Sequence, residues 1–236
     1  MIKYIMLWIA CYTILFSGIY EDASRAYDKK DFSMALSLYT QSAEQGHKDA
    51  QFQLGKMYEE GKGIDADSDQ AILWYQKAVQ SGHKLAEHNL NKLYFKTKHH
   101  SLAYEWYIKH KGHNSPYFVY ALGVVFEIGK EVERDYAKAK ILYEMASKRG
   151  SAKAWYRLGG LYEYNKGVEQ NYEKAAYYYN NGAKGGYAQS QFAMGRLYYF
   201  GKGVKSNHEK AYKWMNIAKR QGNKDAKRFI IQHSLK

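Results

Sequence analysis

The chain has 236 residues, 46% of them hydrophobic, with 25 tyrosines and a formal net charge of +13. That length fits one or two domains, and the composition can bury a core. A single proline, Pro116, and no sustained period-two alternation argue for an all-helical chain and against a β-rich one.

The first element is MIKYIMLWIACYTILFSGIY. Lys3 precedes an apolar stretch from Tyr4 to Tyr20, and the first acids, Glu21 and Asp22, follow directly. A basic residue ahead of a short apolar run resembles a secretory signal. The run is short against the roughly 20 residues of a membrane span. Residues 1–20 are therefore expected to be a signal peptide, with an uncleaved N-terminal membrane anchor or a buried apolar helix as alternatives. No A-x-A site is present, and cleavage is expected between Gly18 and Ala23. Trp8-Ile9-Ala10-Cys11 resembles a lipoprotein box only faintly, since Trp is wrong at its first position. Cleavage removes the single cysteine, Cys11, and with it disulfides, thiolate metal sites and cysteine nucleophiles. It also removes Lys3, so the net charge falls from +13 to +12. A basic exported protein would meet anionic lipid, glycan or acidic protein. Export argues against nucleic acid as a partner, and membrane contact would come only through the N-terminal segment.

Residues 21–49 read as a first helical unit closed by Gly46, and from Ala50 the chain repeats itself. Units of 36 residues start at Ala50, Phe118, Ala154 and Ser190, and a shorter one of 32 at Ala86. This gives 50–85, 86–117, 118–153, 154–189 and 190–225. The fifth position holds Leu54, Leu90, Leu122, Leu158 and Met194; the sixth Gly55, Asn91, Gly123, Gly159 and Gly195; the ninth Tyr58, Tyr94, Phe126, Tyr162 and Tyr198. A second segment carries Ala71, Ala103, Ala139, Ala175 and Ala211, then Tyr75, Tyr107, Tyr143, Tyr179 and Met215. Spacings of three and four mean amphipathic helices, so each unit is a hairpin of two helices, A and B. A glycine inside helix A costs about 1 kcal/mol relative to Ala; it makes sense if helix B presses against it. Gly82, Gly150, Gly186 and Gly222 close the units, where a helix end wants positive φ.

Gly61-Lys62-Gly63 and Gly201-Lys202-Gly203 suggest phosphate loops, but neither has the Ser or Thr a P-loop requires, nor a strand before it. Gly129-Lys130-Glu131 and Asn165-Lys166-Gly167 are looser versions, as a turn between helices A and B permits. The following Ile64, Val132, Val168 and Val204 are expected to tuck under the hairpin. A single hairpin cannot bury both faces, so units stack into an α-solenoid. Residues 226–236 are a half-unit whose Lys227, Arg228, Gln232, His233 and Lys236 suit a C-terminal cap helix.

The pattern LGxxY, then GKGV, then AxxWYxKA, then a closing Gly resembles the Sel1-like repeat, a relative of the tetratricopeptide repeat, over about residues 31 to 226. The run AYDKKDFSMALSLYTQSAEQGHKDAQFQLG is similar to the first unit of many exported bacterial members, with a tetratricopeptide-like connection. The resemblance implies an all-α, right-handed solenoid that binds other proteins. It names no partner, and the family has no common catalytic residues. Some cysteine-rich relatives have been discussed as β-lactamases; this chain lacks their internal cysteine pairs and any fitting SxxK.

Candidate chemistry is sparse. Tyr178, Tyr179 and Tyr198 occupy repeat-core positions, while Tyr177 and Tyr199 fall outside them and suit exposed contacts. Six histidines, His83, His88, His99, His100, His110 and His113, fall between residues 83 and 113. They read as surface residues rather than a zinc site, with His99 and His100 in a polar connection; several could charge together near pH 6. No nucleophile elbow, HExxH or paired-acid motif appears, and scattered Asp and Glu read as solvated. No catalytic residue, cofactor or metal is expected.

What remains is the inner, helix-A surface of the solenoid. Its third positions are Phe52, His88, Tyr120, Tyr156 and Phe192; its seventh include Lys56, Lys92 and Arg196; Trp155 and Arg157 add to one unit. Aromatic and Arg side chains dominate interface energetics, and the cations would suit an acidic or extended protein segment. The alternatives are that the aromatics pack on the neighbouring helix A and the cations are solvated. The expected function is a monomeric, non-enzymatic scaffold of the bacterial envelope or secreted space. An envelope enzyme or glycan binder acting on anionic cell-wall polymer, and a cytosolic scaffold, are the alternatives.

Overall fold

The computed structural model describes residues 18–110 and 115–235. Residues 1–17, which hold most of the expected signal segment and Cys11, and His113 lie outside the described residues. A first helix, α1, covers 18–28. Then follow α2 (Phe32–Glu44), α3 (Lys48–Glu60), α4 (Ser68–Gln80), α5 (Ala86–Lys96), α6 (His100–Lys109), α7 (Pro116–Ile128), α8 (Tyr136–Ser147), α9 (Ala152–Glu163), α10 (Tyr172–Lys184), α11 (Ala188–Phe200), α12 (His208–Arg220) and α13 (Lys224–Gln232). The described residues contain no strand. The chain divides into two compact units, residues 1–102 and 103–236. Among the described residues, no helix is long and apolar enough to cross a membrane.

Local chemistry sets the helix ends. Asp67, Asp135, Asn171 and Asn207 each accept a backbone N–H of the first turn of the following helix B, and Asn223 does so for α13. Such a cap is worth about 1 kcal/mol. Helices α3, α7 and α11 end at Gly61, Gly129 and Gly201 in the left-handed conformation.

In the first unit, α2 packs on α3, α3 on α4 and α4 on α5. Leu54, Tyr75, Leu90 and Tyr94 are fully buried there. In the second, α7 through α13 pack each on the next, burying Leu122, Tyr143, Leu158, Tyr179 and Met215. The expected press of helix B on the helix-A glycine is present. A Cβ on Gly55, Gly123 or Gly159 would stand 2.7, 2.7 and 2.5 Å from the ring of Tyr75, Tyr143 or Tyr179.

The Gly-Lys-Gly turns fasten each hairpin to the one before it. Gly203 lies so close to Tyr172 that a Cβ would meet its carbonyl oxygen at 2.1 Å. Lys202 sits over the Tyr172 ring at 5.0 Å. In the first unit Lys62 donates to the Tyr27 hydroxyl at 2.7 Å. These lysines serve the stack. Ile64, expected under the hairpin, is 37% exposed; Val132, Val168 and Val204 are half-buried.

Candidate functional site

On the helix-A face of the first unit, Phe52 leans on Tyr75 with centroids 5.7 Å apart and stacks on His83 at 4.1 Å. His83 Nδ1 accepts the Ala86 N–H at 3.2 Å, and its Nε2 lies 3.4 Å from Asp49. Burial lowers the His83 pKa below its ordinary 6.5, against the opposing pull of Asp49. Lys56 is half-buried, and Lys92 and His88 are exposed.

The second unit repeats this geometry. Tyr120 leans on Tyr143 at 5.9 Å and Tyr156 on Tyr179 at 5.6 Å. Phe192 meets Phe229 of α13 at 6.2 Å, and Trp155 lies against Tyr177 and Tyr178 at 6.3 and 5.8 Å. The third-position rings Phe52, Tyr120 and Tyr156 thus rest on the helix-B tyrosine of their own unit and remain half-buried.

Two predicted cations have internal partners. Glu127 and Glu163, at the tenth position of their units, are buried, against the expectation that scattered acids are solvated. Tyr143 donates to Glu127 Oε2 at 2.6 Å, Arg157 Nη1 donates to the same oxygen at 3.4 Å, and Lys166 Nζ donates to Oε1 at 3.2 Å. Tyr179 donates to Glu163 Oε2 at 2.7 Å and Arg196 Nη2 to Oε1 at 2.6 Å. Each carboxylate is therefore neutralised from the next helix A. Arg157 is at the fourth position of α9's unit and Arg196 at the seventh of α11's, three apart and so on one helix face. Burial, and then the carboxylates, push the Tyr143 and Tyr179 phenols far up. Burial works against the charge of Arg157 and Arg196, yet the bonds to Tyr120 and Tyr164 and the two glutamates raise both above the ordinary value. The recurrence of Glu59, Glu127 and Glu163 at one unit position is the sequence signal for this link.

The histidines disperse. His100, expected in a polar connection, opens α6 and is buried. His110 stacks on Trp106 at 3.8 Å. His99 lies 2.5 Å from Thr97 Oγ1 and 3.3 Å from Asp69, in the order of a nucleophile, base and acid. Thr97 Oγ1, however, donates its proton to the Leu93 carbonyl at 2.8 Å, away from the imidazole. Among the described residues, no three His, Cys, Asp or Glu side chains group as metal ligands.

The second unit also holds an open cleft of about 410 Å³ at the N-terminal ends of α7 and α9. Tyr117, Tyr120, Arg149, Ser151, Lys153 and Tyr187 line it, with Pro116, Ala152 and three glycines. Aromatic faces, hydroxyls and the Lys153 ammonium beside this opening are contact chemistry.

The family model described as Sel1 repeat matches residues 18–47, 48–83, 116–151, 152–187 and 188–223. A solved Sel1 repeat protein from Oxalobacter formigenes is 28% identical with a TM-score of 0.53, the match covering 87% of this chain and 86% of that one. A second solved protein is c5321, a protective antigen present in uropathogenic Escherichia coli strains and displaying an SLR fold. It is 27% identical with a TM-score of 0.61 over 93% of this chain, which spans 50% of that protein's length. No curated protein matches the chain.

Proposed function

The chain belongs to the Sel1 repeat family, whose members generally serve as scaffolds for protein–protein interaction, and from that premise we propose that it is a non-enzymatic adaptor of the bacterial envelope or secreted space. It binds a segment of a partner protein on the helix-A face of its second unit. The observation that carries this reading is the file of half-exposed aromatics Tyr120, Tyr156 and Phe192 on successive helices A, beside the open cleft. Such side chains present large, rigid contact area at little entropic cost. With Arg157 and Arg196 turned to internal glutamates, the cations left for a partner in this unit include Lys153, which is exposed. The export half of the proposal rests on Lys3 and the apolar run after it.

The test is capture from an envelope extract of the native organism with the tagged full-length chain. A protein partner lost in the variant Tyr120→Ala plus Tyr156→Ala, with the helical fold retained by circular dichroism, is the expected result. Capture of anionic wall polymer alone, with steep salt dependence, would transfer the chain to glycan binding. Cytosolic protein retaining Met1 on fractionation would end the export claim.

A further inference from the structure

In three units the third-position ring of one helix A is met by the ring of the residue that opens the next. Tyr20 stacks on His47 at 4.5 Å and Phe52 on His83 at 4.1 Å. Tyr156 meets Tyr187 edge-on at 5.5 Å. By the same register Tyr120 should meet residue 151, which is Ser. Ser151 serves the helix, its hydroxyl accepting the Ala154 N–H at 3.3 Å, but it brings no ring. Where the ring would stand is the open cleft that Tyr120 and Ser151 both line.

The rim of the cleft has a definite character. Tyr117 is 69% exposed. Arg149 and Lys153 are the charged residues of the lining, and no carboxylate is among them.

We propose that this gap is the specificity pocket of the helix-A face, taking one aromatic side chain of a partner protein segment that carries acidic residues beside it. The proposal rests on the helix-A reading above and adds what that face selects. The incoming ring replaces the one its neighbours supply from within the chain, gaining burial and aromatic contact with Tyr120. Lys153, exposed at the rim, favours an acidic flank and disfavours a basic one.

Fluorescein-labelled peptides on the full-length chain test it by anisotropy. Gly-Glu-Trp-Glu-Gly should bind roughly tenfold more tightly than Gly-Glu-Leu-Glu-Gly or Gly-Lys-Trp-Lys-Gly. Ser151→His should abolish that preference by filling the gap. It is a mild substitution for the fold, because His47 and His83 already cap their helices this way, and an unchanged melting midpoint would verify it. Equal binding of the three peptides, no binding of any, or binding that survives Ser151→His overturns the proposal. The broader reading is judged separately. Native capture that survives Ser151→His but is lost in Tyr120→Ala plus Tyr156→Ala removes the pocket and keeps the helix-A face; capture that survives both removes both.

Discussion

A Cβ on Gly159 would lie 2.5 Å from both Cδ1 and Cε1 of Tyr179, whereas one on Gly160 would come no closer than 3.7 Å, to the Tyr179 hydroxyl. The two neighbours should therefore respond to alanine with opposite signs. Gly159→Ala overpacks a ring held by Glu163 and should cost about 1–3 kcal/mol; Gly160→Ala should stabilise by up to about 1 kcal/mol through helix propensity alone. Chemical denaturation of both variants decides, and a shared sign would remove the steric account of the repeated glycine. His83 sets a second expectation. Its folded pKa is depressed by burial below 6.5, so the unfolded chain takes up the proton more readily. The contribution is fully present above about pH 6.5 and is lost as pH falls through that value toward the folded pKa. His83→Asn keeps a capping side chain, as Asn223 does for α13. Its melting midpoint should drop less than the parent's between about pH 7.5 and about pH 5.5; equal drops would exclude His83 as the titrating group.

Between elements, the buried glutamates decide how one helix A is tied to the next. Removing Arg196 leaves the Glu163 carboxylate, 5% exposed, with only its tyrosine partner. The expected cost is about 2–3 kcal/mol, below the figure for a fully buried pair because the Arg196 side chain is 31% exposed. A double-mutant cycle of Glu163→Gln with Arg196→Met should return a coupling of roughly 1–3 kcal/mol; additive singles would show the pair to be incidental. This link also marks the limit of what sequence reading could reach. Leu54, Gly55, Tyr75 and their equivalents were legible because every unit needs the same small and large shapes at the same contact. The glutamates recur at one position, but their link to a cation was hidden, because the partner shifts from the fourth position to the seventh and the acid itself gives way to Phe95 and Tyr199. Arg157 and Arg196 consequently read as free groove cations. His100 read as polar surface because the shortened turn hides that it opens a helix. The gap at Ser151 was invisible for another reason: it is defined by a ring that three units supply at that position and this one does not.

At the scale of the molecule, the packing is one-dimensional within each unit: helices α2 to α5 and α7 to α13 are packed chiefly on their chain neighbours, with α9 on α11 a minor exception. Stability in such an array is approximately a sum of pair and nearest-neighbour contributions, so a local defect should stay local. Gly159→Ala strikes the contact between α9 and α10. Native-state hydrogen exchange should therefore quicken in α9, α10 and the adjoining α11, where the Glu163–Arg196 pair is anchored, by the factor corresponding to the loss of about 1–3 kcal/mol. Amides of α3 and α4 in the first unit should exchange at the parent's rate. The two glycine-bearing contacts are chemically alike, Gly55 on Tyr75 and Gly159 on Tyr179, so Gly55→Ala provides the reciprocal experiment. It should raise exchange in α3 and α4 and leave α10 and α11 as they were. If either substitution raised exchange uniformly from α2 to α13, the chain would be unfolding as one cooperative body, and the nearest-neighbour account of its stability would fail.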